Sequence, residues 1–155
     1  MYYSAMFNVA FRIVSDKTLA EEIMQDSFLK AFTKLDSYSG KVTFGAWLKK
    51  IVINTSINEL KKANQFQFES LNDGNEFEDI NENDIISYNE LKAEQILKTI
   101  QSLKSNYKII LTLFFIEGYD LEEISSILNI SNENCRTTMS RAKESLRKKL
   151  NDNER

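Results

Sequence analysis

The 155 residues contain no histidine, no proline, one cysteine and four glycines. Without histidine there is no imidazole base, no commonest metal ligand and no Ser-His or Cys-His nucleophile pair. Neither a G-x-x-x-x-G-K-[ST] loop nor a G-x-G-x-x-G turn is present, and few glycines exist to build one. An enzyme is not expected, nor a cofactor, a bound metal or a small-molecule substrate. Cys135 has no second thiol to pair with and falls on an apolar helical stripe, so it is read as a small buried hydrophobe. No run approaches the roughly 18 apolar residues that span a bilayer. The opening MYYSAMFNVAFRIVSD also lacks the basic region and cleavage site of a secretory signal, so a cytoplasmic location is expected.

An overall excess of basic charge is missing too, since the net charge is −3. The mean conceals a division, however: residues 1–62 carry +3, residues 63–91 carry −8 and residues 92–155 carry +2. Two mildly basic modules are separated by an acidic spacer, and each has to be judged by its own charge.

What the sequence does contain is helical periodicity. Tyr3, Met6, Phe7, Ala10, Ile13 and Val14 mark a first helix that stops near Ser15-Asp16. A second, from about Thr18 to Leu35, is expected to bury Ala20, Ile23, Met24, Ser27, Ala31 and Leu35. Leu29 falls on its opposite side among Glu22, Gln25, Asp26 and Thr33. A lone exposed leucine needs no explanation, but one set in a polar, partly acidic face also suits a modest protein-docking surface.

Residues 36–43, DSYSGKVT, form a loop holding Tyr38 and Lys41. A third helix over residues 44–62 carries Leu48, Ile51, Val52 and Thr55 on one side and Ile53, Ile57 and Leu60 on another. Between them runs a stripe of Trp47, Lys50, Asn54, Asn58 and Lys61. Rings on which unstacked bases lie, beside cations for their phosphates, are the ingredients of a single-strand surface. Composition by itself favours the plainer alternative, with Tyr38 and Trp47 in the core and the lysines solvated.

Periodicity fails over residues 64–90, where Asn, Asp and Glu dominate and no basic residue occurs, so this stretch is expected to be an acidic linker. It is no calcium loop, because Leu71 stands where the pattern ending at Gly74 requires an oxygen ligand. Leu91, Ile96, Ile100 and Leu103 then open a helix. Ser105 is placed to cap the next, whose apolar run over 109–116 implies burial, with Gly118 as its stop.

Asp120, three residues ahead of Glu123, forms an N-cap signal before Leu121, Ile124 and Leu128. Ser131 is placed to cap a final helix with Cys135, Met139, Ala142, Leu146 and Leu150 along its apolar stripe. Glu133, Asn134, Thr137, Ser140 and Arg141 are expected to face away, with Arg136 on the shoulder. Two short helices joined by a tight turn describe a helix-turn-helix. Six basic residues against the single acid Glu144 between positions 134 and 149 suit a phosphate backbone. Basic residues late in a helix also complement its dipole, so the helix alone leaves both readings open.

Taken together, AEEIMQDSFLKAF at residues 20–32, FGAWLKKIVINTSINELKK at 44–62, EGYDLEEISSILNIS at 117–131 and SRAKESLRKKL at 140–150 resemble the sigma factors of bacterial RNA polymerase. The resemblance is to the small extracytoplasmic-function (ECF) type. It implies an all-α protein of two small helical domains: a region 2-like bundle over residues 1–63 and a region 4-like helix-turn-helix over 91–152, joined by the acidic linker. It further implies that Glu22, Gln25, Asp26 and Leu29 meet core RNA polymerase. Tyr38, Lys41 and Phe44, aided by Lys50, Asn54, Asn58 and Lys61, would hold the melted nontemplate strand of the minus-ten element. Asn134, Arg136, Thr137, Ser140 and Arg141 would enter duplex at the minus-thirty-five element. An anti-sigma factor is a further partner the family admits.

The chain departs from the family at Leu103-Lys104, where a Leu-Pro pair is usual, and at Asn134, Cys135 and Thr138. Two other functions stay open: a stand-alone helix-turn-helix regulator, and a helical adaptor that binds polymerase without reading DNA.

Overall fold

The computed structural model describes residues 2–63 and 90–153, which fall into two compact helical units with no strand among the described residues. The expected acidic linker lies outside the described residues, apart from Glu90, which opens a helix.

Three helices make the first unit: α1 (Tyr2–Val14), α2 (Lys17–Thr33) and α3 (Phe44–Lys62). Each packs against the other two. That is why α3 has two apolar sides, and Leu48, Val52, Ile53, Ile57 and Leu60 are all buried, against Met6, Val9, Ala10, Ile13 and Val14 of α1 and Ala20, Ile23, Met24 and Ala31 of α2. The α1–α2 turn is short because Ser15 takes a left-handed φ of 57° and the Asp16 carboxylate accepts the Leu19 amide at 3.1 Å. Thr43 starts α3 in the same way, its hydroxyl accepting the Ala46 amide at 3.2 Å. The expectation for Leu35 is corrected. Helix α2 ends at Thr33, the chain tightens into a 3-10 turn over Leu35–Ser37, and Leu35 leaves the buried stripe with 49% of its surface exposed.

The second unit comprises α4 (Glu90–Ser102), α5 (Ser105–Leu111), a π-helical turn (Thr112–Ile116), α6 (Leu121–Leu128) and α7 (Asn132–Asn153). Lys104, not Ser105, occupies the N-cap position of α5, and no side chain caps it. Ile109, Ile110, Leu111, Thr112 and Leu113 are buried, as the apolar run requires. The Glu117 amide then reaches back five residues to the Thr112 carbonyl at 3.0 Å, and Gly118, at φ +80°, ends the segment in a conformation open to glycine. Cys135, Met139, Ala142, Leu146 and Leu150 are all buried on α7, which packs against α4, α5 and α6. The Lys149 ammonium donates to the Ser102 carbonyl at 3.1 Å and ties the end of α4 to α7. No helix among the described residues is long and apolar enough to cross a membrane.

Candidate nucleic-acid interface

The helix-turn-helix is held by three polar devices. Asp120 and Glu123 exchange hydrogen bonds with each other's amides at 2.8 and 3.1 Å, a complete capping box at the start of α6. Asn129 ends α6 at φ 57°, ψ 50°, a left-handed geometry that asparagine tolerates better than most residues. The Ser131 hydroxyl accepts the Asn134 amide at 3.0 Å to start α7, and the Ser125 hydroxyl lies 2.8 Å from the Asn132 side-chain amide across the turn. These contacts fix how α7 leaves the turn, and hence which residues its first two turns present.

Arg136 is exposed there, while Asn134, Ser140 and Arg141 are partly exposed. Asn134 is also engaged locally, its side chain accepting the Thr138 hydroxyl at 3.1 Å. Thr137 is a correction: it was expected on the outward face but is only 4% exposed. Its short side chain has the longer Glu133 and Arg141 one helical turn to either side and presents little surface of its own. Lys143 is also withdrawn, 6% exposed with its ammonium 5.2 Å above the Phe114 ring, so one of the six cations counted along this helix packs inward. Exposed Asn132 and Glu133 were not singled out as contact candidates, although their place at the opening of α7 was readable from the Ser131 cap.

Burial explains the ionisation changes in this unit. It pushes the Cys135 thiol up to about 11, with Arg136 opposing, and the Sγ donates to the Leu121 carbonyl at 3.4 Å. Tyr119 is pushed up to about 12 by burial first and then by Glu117 and Glu123. Burial also lowers Lys108.

In the first unit, four rings meet where the loop enters α3. Tyr38 stands edge-on to Phe44 at 5.9 Å and 5.2 Å from Trp47, Phe44 lies 5.6 Å from Trp47, and Tyr2 of α1 joins edge-on to Phe44 at 5.5 Å. The Tyr38 hydroxyl donates to the Val42 carbonyl and closes the loop on itself. Tyr38, Phe44 and Trp47 are partly buried, neither sealed core nor free side chains. Lys41 is exposed in the loop, and Lys50, Asn54, Asn58 and Lys61 are exposed along one side of α3. Half-open rings and a polar, cationic stripe therefore share one helix.

On α2, Leu29 is 68% exposed, Glu22 and Gln25 are exposed, and the partly exposed Asp26 pairs with Lys30 at 3.3 Å. The same ammonium lies 3.3 Å from the Thr55 hydroxyl of α3. Phe32, 77% exposed, extends this face, so its apolar surface is larger than the single leucine expected. Phe32 stands three residues beyond Leu29, one turn along, and that spacing was the available signal.

Comparison with known proteins finds a match for each unit. The sigma-70 region 2 model matches residues 1–66 and the sigma-70 region 4 model matches residues 93–146. The ECF RNA polymerase sigma factor SigW of Bacillus subtilis is 27% identical over 161 residues, covering 98% of this chain and 86% of its own. The ECF RNA polymerase sigma-E factor of Escherichia coli is 26% identical over 138 residues, 83% of this chain and 72% of its own. Among solved structures, the sigma factor RpoE in complex with the anti-sigma factor NepR, from Bartonella quintana, aligns over 97% of this chain and 92% of its own, with a TM-score of 0.62 and 21% identity. CnrH in complex with the cytosolic domain of CnrY aligns over 96% and 82%, with a TM-score of 0.56 and 19% identity. These two likenesses concern the fold.

Proposed function

The chain belongs to the sigma-70 family as an ECF RNA polymerase sigma factor, and from that premise we propose how its residues divide the work of starting transcription. It binds core RNA polymerase and directs promoter recognition and DNA melting. The chain supplies recognition rather than chemistry, and the polymerase makes the phosphodiester bonds.

The first domain, residues 1–63, docks on the polymerase through Glu22, Gln25, Asp26 and Leu29, with Phe32 extending the apolar part of that face. Supporting this is an exposed leucine and phenylalanine on a face that a lone monomer has no reason to keep apolar. Tyr38, Lys41 and Phe44 receive an unpaired base of the minus-ten element. Lys50, Asn54, Asn58 and Lys61 follow the nontemplate strand, their amides and ammonium groups suited to base edges and phosphates. The second domain, residues 91–152, places the start of α7 in the major groove at the minus-thirty-five element. Arg136 and Arg141 are the leading contacts, with Asn134 and Ser140 beside them and Thr137 in a supporting place. Residues 64–90 form the acidic tether between them.

The observation that carries the reading is the order of the matches, region 2 and then region 4 on two separate helical units of one chain. A stand-alone helix-turn-helix regulator would carry a sensor as its first domain rather than a region 2 match, and an adaptor that ignores DNA has no need of the second unit. A cytoplasmic location follows from where the polymerase works. An anti-sigma partner is part of the proposal because a sigma factor of similar fold was solved in complex with an anti-sigma factor. The test is transcription in vitro from a library of promoter fragments with core polymerase. Added protein should produce discrete run-off products absent with core alone, and an unchanged product pattern overturns the reading.

A further inference from the structure

Gly45 lies in the first turn of α3, where glycine costs about 0.5–1 kcal/mol relative to alanine and no positive φ asks for it. The structure supplies another reason. A Cβ built on Gly45 would stand 3.0 Å from the Tyr2 ring, with two further ring carbons at 3.7 and 3.9 Å. The Cε1 edge of the Tyr2 ring therefore meets the α3 backbone more closely than a Cβ allows without the ring giving way by a few tenths of an ångström, and the same ring stands edge-on to Phe44 at 5.5 Å. Yet Tyr2 is 51% exposed, so the contact gives up much of the burial that usually justifies packing a large ring. A helix start weakened by glycine and a ring left half in solvent serve the core poorly. They suit a surface that must offer rings to something else.

From this geometry we propose that Tyr2 is a further wall of the single-strand site, carried by α1 onto the Tyr38, Phe44 and Trp47 group, with Gly45 as the clearance that admits it. The inference rests on the minus-ten reading of Tyr38 and Phe44 given above. The exposed part of the Tyr2 ring faces an unpaired base as an additional stacking surface, and its edge-on contact holds Phe44 in place. The chemistry recognised is that of an extruded nucleobase in single-stranded DNA. Base-on-ring stacking tolerates any base, so Tyr2 contributes affinity for the melted strand more than sequence choice.

The test uses the full chain assembled with core polymerase and measures binding of a short single-stranded minus-ten oligonucleotide, alongside thermal unfolding of each variant. Tyr2→Ala should weaken binding by roughly fivefold or more, the lower end of what removing one stacking ring costs, and Tyr2→Phe should restore it. Gly45→Ala should raise the unfolding temperature through better helix propensity while lowering single-strand affinity. The double variant should bind no worse than Tyr2→Ala alone, because both changes act on one contact. A purely structural role for Tyr2 predicts instead that stability and affinity fall together in Gly45→Ala. Tyr38→Ala runs in parallel. If it weakens oligonucleotide binding while Tyr2→Ala and Gly45→Ala do not, Tyr2 is no part of the site and the inference falls alone. If Tyr38→Ala also has no effect, the minus-ten reading falls and the inference with it.

Discussion

Leu29→Asp separates docking from folding, because the side chain it replaces is largely exposed. Fully burying a leucine is worth about 1.5–3 kcal/mol. With 68% of Leu29 still exposed, roughly two thirds of that, about 1–2 kcal/mol, is left for a partner to gain. Aspartate forfeits the gain, adds a carboxylate to be desolvated at the interface, and stands one turn from Asp26, a second carboxylate already paired with Lys30. The expected loss of binding to core polymerase is about 3 kcal/mol, more than a hundredfold in Kd. The fold should barely respond, because a surface substitution away from packing is worth within about 0.5 kcal/mol, or a shift in Tm of roughly 2–4 °C. Ile23→Ala, on the same helix but 1% exposed, should behave in the opposite sense and cost about 2–5 kcal/mol of stability. The assays are thermal unfolding of the free protein and titration of labelled core polymerase. A Leu29→Asp protein that unfolds normally and still binds core within about threefold of the parent would refute the docking assignment.

Three other outcomes follow from the second unit. Arg136→Ala should weaken binding of the reconstituted holoenzyme to minus-thirty-five duplex, by about 1–3 kcal/mol with relaxed base preference if the guanidinium reads a base. If it meets phosphate, the loss should be uniform and the salt slope should fall by about one; unchanged affinity and slope would remove it from the interface. Asp120→Ala removes the carboxylate that accepts the Glu123 amide, leaving only the return bond from the residue-120 amide to Glu123, and should cost about 0.5–2 kcal/mol, measured as a lower urea midpoint for this unit and refuted by an unmoved one. Alkaline pH should destabilise the same unit. Folding raises the Cys135 thiol from 9.0 to about 11 and the Tyr119 phenol from 10.0 to about 12, so the stabilisation is complete below the lower value of each pair and is lost as pH rises through the higher. Cys135→Ala should remove the part of the slope that begins near 9, and a urea midpoint independent of pH across that range would contradict both assignments.

Much of the fold was legible because the chain signals its helix boundaries locally. Asp120 and Ser131 each cap a helix with a side chain that sequence spacing finds, and Gly118 marks a stop by needing positive φ, whereas the caps by Asp16 and Thr43 emerge only in the structure. The errors arise where a tertiary or backbone detail overrode spacing. Leu35 continues the periodicity of α2, but the helix tightens into a 3-10 turn first and carries it into solvent. Thr137 lies opposite the apolar stripe by angle, but angle says nothing of how much surface a short side chain shows between two long ones. Gly45 and Tyr2 were invisible for a different reason. Their contact joins the start of one helix to the start of another, and no periodic pattern encodes a close approach across 43 positions.

The charge distribution explains why recognition has to be shared between the two units. Each presents only a handful of exposed cations, and the acidic stretch between them opposes a third phosphate-binding surface. Withdrawal of Lys143 above the Phe114 ring reduces the second unit's share further. Counterion release scales with the phosphates neutralised, so each unit by itself is expected to bind DNA weakly at physiological salt. Tight promoter binding then depends on a third body that fixes both units at the right separation, turning the second contact into an intramolecular step with a high effective concentration. On the proposed assignment the exposed Leu29 and Phe32 face is where such a body attaches, so Leu29→Asp should lower promoter affinity of the assembled complex as well as polymerase binding.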